Sequence, residues 1–269
     1  MITGGRGGTG LFGGASGSDS VVAQLARGRR DASIKAVVVR INSPGGSAAA
    51  SQEIYAELMK IRKAGKPVVA SMGDVAASGG YYVAAAADRI VANGSTLTGS
   101  IGVVMEMQNL QGLFQKIGVR SNTIKSGKFK DIGSSTRPMT PEERELLQGL
   151  VNDVYEQFVG AIIAGRKQVD PARLRQLADG RIFTGRQAHA LKLVDELGNL
   201  QDAVATAARL AGIRGRPTVV ELRRTSLLDT LTGGEPGVGS DLRLPVGAAE
   251  EERLVRALRR LMYEQAVPR

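Results

Sequence analysis

Two hydrophobic periods alternate along the chain. Residues 34–41, IKAVVVRI, are a nearly continuous β-branched run, the pattern of a strand buried on both faces. NSPGGS comes next as a turn. Residues 47–65 then place Ile54, Leu58 and Ile61 at helical spacing, and Gly65 closes the helix. KPVVASM, residues 66–72, returns to the strand pattern. Strand, turn, helix and strand in that order predict a βαβ unit with parallel strands. The unit then recurs. DVAASGG leads into a small-residue helix, YYVAAAAD, and RIVAN is a short strand. TLTGSIGVV and VRSNTIKSG, residues 96–104 and 119–127, each predict one more strand.

From residue 140 the pattern is mostly helical. TPEE is a capping box, with Thr140 as cap, Pro141 at the first position and Glu143 at the third. Leu147, Leu150, Val154, Phe158 and Ile162 continue it as an apolar stripe. Residues 19–30 predict an earlier helix capped by Asp19 or Ser20, and DPARLRQLAD and TGRQAHALKL open like helices. PTVVEL, residues 217–222, reads as a late strand. The domain reading is a flexible glycine-rich segment over 1–18, one domain over 19–230, and a tail over 231–269. The tail combines a Gly/Pro-rich loop with an amphipathic helix, EERLVRALRRLMYEQ, suited to packing on a neighbour, the favoured reading, or to touching anionic lipid.

Composition narrows the chemistry. Of 269 residues 42% are hydrophobic, enough to bury a large core. The net charge of +10 is compatible with an acidic partner or a solvated basic surface, and 4% aromatic content argues against single-strand stacking platforms. No nucleic-acid partner is expected. There is no cysteine, which excludes disulfides, thiol nucleophiles and thiolate metal sites. One histidine, His189, leaves a Ser-His-Asp mechanism a single possible base, and a helix position between alanines does not favour it. No run of about 18 apolar residues is present to span a membrane.

Two glycine turns could carry chemistry. NSPGG, residues 42–46, comes after a buried strand, and glycines there can free backbone N–H groups for an oxyanion or merely turn the chain. AASGGYY, residues 76–82, offers Ser78 at a strand-to-helix turn with the Gly79 N–H beside it, although it is not the G-x-S-x-G motif. A serine nucleophile needs a base. The segment IKSGKFKD offers Lys125, Lys128 and Lys130, which could equally be a solvated basic loop. In general a lysine base must fall from about 10.4 to about 7, roughly 4–5 kcal/mol of differential destabilisation of the ammonium.

Five segments, INSPGGS, DVAASGGYYVAAAADRIVAN, TLTGSIGV, IKSGKFKDIGS and GRQAHALKLVDELG, together resemble the signal peptide peptidases of the SppA type, in their short form. The resemblance runs from about residue 19 to residue 210. It implies an α/β, Clp-protease/crotonase-like fold built from repeated ββα units with mostly parallel strands. It implies a serine peptidase with a Ser–Lys dyad: Ser78 as nucleophile, Lys130 as base, and Ser100 holding the lysine amine. Gly45 and Gly79 are the implied oxyanion donors. No metal or organic cofactor is implied. The implied partners are peptide substrates left from signal peptides and neighbouring copies in a ring, where one protomer's lysine completes another's site. Family members usually carry an N-terminal membrane helix and a first strand, which are missing or cut short here. The implied location is membrane-associated, with the catalytic domain outside the cytoplasm.

The alternatives are a stomatin-cleaving type of membrane-associated Ser–Lys protease, a crotonase-type acyl-CoA enzyme in which Ser78 would be idle, and a non-catalytic ring scaffold. A Clp-type peptidase shares the fold but needs a catalytic histidine, and His189 lies in the wrong motif.

Overall fold

The computed structural model describes residues 1–5 and 17–222. The expected tail over 231–269 lies outside the described residues. Helix α1 (Ser18–Arg30) leads to strand β1 (Val37–Ser43), helix α2 (Ala48–Lys63), strand β2 (Val68–Ala77) and the short helix α3 (Gly79–Ala84). Strands β3 (Arg89–Ala92) and β4 (Leu97–Gly99) come next, then helices α4 (Gln111–Lys116), α5 (Pro141–Gly165) and α6 (Pro171–Leu177). Strand β5 (Ile182–Thr184), helix α7 (Gly185–Ala190), strand β6 (Glu196–Leu197) and helix α8 (Leu200–Leu210) end the described elements.

β2 is the organising strand. β1 runs parallel along one of its edges. On the other edge β3 pairs with its first half and β4 with its last three residues, both parallel. β6 adds in parallel to β3, and only β5 is antiparallel, on β4. The expected mixed α/β architecture with a mostly parallel sheet is the one observed.

A bulge lets β2 serve two partners. Ile41 pairs with Met72 but Ser43 pairs with Ala76, so extra β2 residues sit opposite Asn42. The Asn42 side chain replaces the missing ladder contact, accepting from the Val75 N–H at 3.1 Å. Such bulges bend a strand and re-aim the residues beyond them. Here the strand turns from β3 to β4 and ends at Ala77, just before Ser78.

The core lies between β1, β2 and the helices α2, α3 and α5. Ala84 to Ala87, at the end of α3 and just after it, are fully buried, while α3 also carries the large buried side chains of Tyr81 and Tyr82. Tyr82 stacks on Phe158 at 4.8 Å between centroids and meets Tyr55 edge-on at 5.4 Å. The Tyr81 hydroxyl donates to the Leu193 carbonyl. Arg166 is buried and paired with Asp195 at 2.5 Å, and Asp195 also accepts from the Ile90 N–H.

Several sequence expectations need correction. Residues 119–127 and 217–222 are not strands. Ile124 is fully exposed and Val219 and Val220 are exposed, so no neighbouring strand or core exists among the described residues to reward extended pairing. α1 begins at Ser18 with Gly17 as its N-cap, which has no side chain to offer, so Asp19 and Ser20 fall inside the helix rather than capping it. The Ser18 hydroxyl donates to Glu53. The capping box of α5 forms as read, but the apolar stripe divides: Phe158 and Ile162 are buried while Leu150 is 51% exposed. Near the start, Ile2 is tied to the NSPGG turn, donating to the Gly45 carbonyl and accepting from the Ser47 N–H. Among the described residues no helix is long and apolar enough to cross a membrane.

Candidate active site

Ser78 stands between the end of β2 and the start of α3 with φ 51° and ψ −119°. A non-glycine residue seldom adopts such a backbone, and it persists only where the surroundings over-determine it. Three features do so. The Ser78 N–H donates to the Gly99 carbonyl at 2.9 Å, tying the turn to the end of β4. The Ser78 carbonyl accepts from the Tyr82 N–H and so begins α3. Gly45 packs so closely that a Cβ there would lie 2.8 Å from the Ser78 Cβ. The Ser78 side chain caps nothing, and its hydroxyl has no hydrogen-bond partner among the described residues. Gly79 has room for no side chain either, since a Cβ would run into the Ser51 hydroxyl.

Ser100 comes directly after the strand that binds Ser78. It too has positive φ, 49°, and its N–H donates to the Arg181 carbonyl at 2.8 Å. The same strand end thus places Ser78 beside Gly99 and Ser100.

The NSPGG turn abuts this elbow, but not with the free amide expected. The Gly45 N–H donates to the Ser43 hydroxyl at 3.1 Å, and that hydroxyl is directed back to the Gly45 carbonyl at 3.2 Å. The Gly45 amide is therefore occupied. Neither the Gly79 N–H nor that of the next glycine of the turn, Gly46, has an acceptor among the described residues. A Cβ on Gly79 would lie 3.4 Å from the Gly46 nitrogen, which shows how near the two are. SPGG marks the turn, but which of its two amides is free depends on the Ser43 side chain.

Lys130 is exposed, in the irregular segment between α4 and α5. No hydrogen bond joins it to Ser78 within one chain. Its neighbours are engaged elsewhere: Lys125 pairs with Asp131 at 2.7 Å, and Lys128 pairs with Glu142. The segment around it exposes Val104, Leu113, Ile117, Ile124 and Phe129, a chain of apolar residues on the surface. His189 is exposed on α7. Among the described residues no three of His, Cys, Asp or Glu converge as ligands for a metal.

Charge is organised around the Lys130 segment. Arg137 and Lys125 hold the Asp131 carboxyl well below the usual carboxylate range. Arg137 and the Thr140 N–H hold Glu143 at about 2.

Comparison with known proteins sets this geometry in a family. The model of Peptidase family S49 matches residues 60–214, and that of the Clp proteases matches residues 15–100. "Putative protease slr0021" of Synechocystis sp. is 45% identical over 225 residues, covering 82% of this chain and 80% of that protein. "Protease 4" of Salmonella typhi is 40% identical over 81% of this chain, but the match spans only 35% of its length. "Serine protease SPPA, chloroplastic" of Arabidopsis thaliana is 42% identical over 84% of this chain and is covered over 34% of its length. The match to the S49 family runs through the Ser78 elbow, Ser100 and the Lys130 segment. The chain belongs to peptidase family S49 and is a serine-type peptidase.

Proposed function

We propose that this chain hydrolyses apolar peptide segments, such as signal-peptide remnants, through Ser78 and a Lys130 supplied by a neighbouring copy in a ring. The observation that carries the reading is the Ser78 elbow: a strained residue whose hydroxyl is unpaired among the described residues, beside two amides in the same condition. Strain of this kind collects at functional sites. The neighbour's contribution is supported by Lys130 being exposed, with no partner for its amine among the described residues, on a segment rich in exposed apolar residues.

In this mechanism the neutral Lys130 amine takes the Ser78 proton, and Oγ attacks the scissile carbonyl carbon. The N–H groups of Gly79 and Gly46 stabilise the developing oxyanion, in place of the occupied Gly45 amide. The carbon–nitrogen bond then breaks as the Lys130 ammonium protonates the leaving amine. Water attacks the resulting ester, the amine takes its proton, and Ser78 regains a hydrogen on release. Ser100 orients the amine. The peptidase domain extends over residues 19–230.

Mixing subunits tests the reading. Ser78→Ala and Lys130→Ala proteins should each fail to cleave an apolar peptide. Rings co-assembled from both should regain activity, because some sites then combine an intact serine with an intact lysine. Turnover by Lys130→Ala alone, or no regain in mixed rings of demonstrated composition, contradicts it.

A further inference from the structure

The loop carrying Lys130 is pinned by one residue that the mechanism above does not use. Arg137 spends its whole guanidinium on three partners. Nε donates to Asp131 at 2.9 Å, and Nη2 pairs with the other oxygen of the same carboxylate, also at 2.9 Å. Nη1 donates to Glu143 at 2.9 Å and to the Pro138 carbonyl at 3.0 Å, and Nη2 also binds Glu143. Glu143 in turn accepts from the Thr140 N–H at 2.9 Å and is only 3% exposed, closing the capping box of α5. The guanidinium thus joins residue 131 to the first turn of a 25-residue helix. A planar fork can hold two carboxylates in this way, whereas an ammonium cannot.

The charge arrangement matters as much. Asp131 is the residue after Lys130. An unbalanced carboxylate beside a lysine favours its ammonium form, which is useless as a base. Asp131 is balanced twice, by Arg137 and by Lys125 at 2.7 Å. The other charged groups facing the loop are Lys128, which pairs with Glu142 of α5, and Glu143, already bound to Arg137. From the remaining neighbours, Arg144 lines the same cavity of about 300 Å³ as Arg137 and Met107, and the adjoining Glu106 is exposed.

We propose that Arg137 is a positioning residue for Lys130: it fixes the loop bearing the amine to the start of α5 and neutralises the carboxylate next to it. The inference rests on Lys130 being the base.

The test is the pH dependence of peptide hydrolysis by the full chain, with kcat and KM measured separately and ring size and melting temperature recorded. Arg137→Gln should lower kcat about tenfold or more, leave KM within about twofold, and move the alkaline midpoint upward by about half a unit or more. Adding Asp131→Asn to Arg137→Gln should return the midpoint toward that of the unaltered protein. Arg137→Lys, which keeps the charge without the fork and so guards against a misfolded Gln variant, should keep the midpoint but lose kcat. An unmoved midpoint in folded Arg137→Gln overturns the charge role, and full kcat in Arg137→Lys overturns the positioning role. Lys130→Ala measured alongside separates the two readings, since its retained turnover would reject the base itself whatever Arg137 does.

Discussion

Gly45 lies against Ser78 so closely that a single methyl on it would sit 2.8 Å from the Ser78 Cβ and 2.9 Å from the Gly79 nitrogen. Gly45 also has φ 110°, a backbone that side chains rarely adopt. Gly45→Ala therefore pushes on the nucleophile and on an oxyanion donor at once. The expected outcome is a loss of kcat of about a hundredfold or more, since displacements near 1 Å have that cost. Gly65→Ala is the control, because Gly65 has φ 82° but open space around it. It should lower the melting temperature and leave kcat unchanged. Equal activity in the two variants would contradict the close-packing argument.

Ser43→Ala probes the tether of the same turn. The buried Ser43 hydroxyl accepts the Gly45 N–H and points back at the Gly45 carbonyl. Losing it should destabilise the fold by only about 1 kcal/mol. The turn would then be free to rotate, and kcat should fall about tenfold, with KM little changed. Unaltered kcat would show that the turn holds its shape without Ser43.

Acid should loosen the Lys130 loop before it unfolds the core. Glu143 is held at about 2, against 4.5 for a free glutamate, by Arg137 and the Thr140 N–H, and Asp131 is depressed as well. A depressed carboxyl adds stability above its unfolded value and loses it as pH falls toward the folded value. The window therefore runs from about pH 4.5 down to about pH 2. Glu143→Gln should melt lower than the unaltered protein near neutrality and lose less between about pH 5 and about pH 3. Parallel melting curves in both proteins would rule out this contribution.

The sequence carried much of this arrangement. β-branched runs located β1 and β2, helical spacing located α2, and TPEE located the start of α5 with its capping box. What it could not carry depended on neighbours. VRSNTIKSG and PTVVEL have strand-like residues but no strand beside them among the described residues, so they remain irregular. The apolar stripe on α5 covers both a core face around Phe158 and a surface around Leu150, and periodicity does not distinguish the two. The two glycines of SPGG differ in what surrounds them, Gly45 meeting Ser43 and Ser78 and Gly46 meeting Ile2, and adjacency in sequence does not show it. The Arg137 fork does not show in the sequence because it joins Asp131, six residues back in a segment without regular structure, to Glu143, six residues on in the first turn of α5, a spacing that no regular element sets.

Asp195→Ala separates fold from chemistry. Asp195 pairs with the buried Arg166 and accepts from the Ile90 N–H, holding the end of α5, β3 and the segment before β6 together. Removing it strands a buried guanidinium, which should cost about 3–5 kcal/mol. Activity of the folded fraction at low temperature should match that of the unaltered protein. A normal melting temperature would show that Arg166 finds another partner or reaches water.

The most direct measurement is covalent labelling with a serine-directed phosphonate, with the adduct then located by peptide mapping. The account predicts a single adduct on Ser78, absent from Lys130→Ala rings of the same size and restored when those rings incorporate Ser78→Ala subunits that supply the lysine. An adduct on another serine, or labelling of Ser78 at an unchanged rate without Lys130, would contradict it.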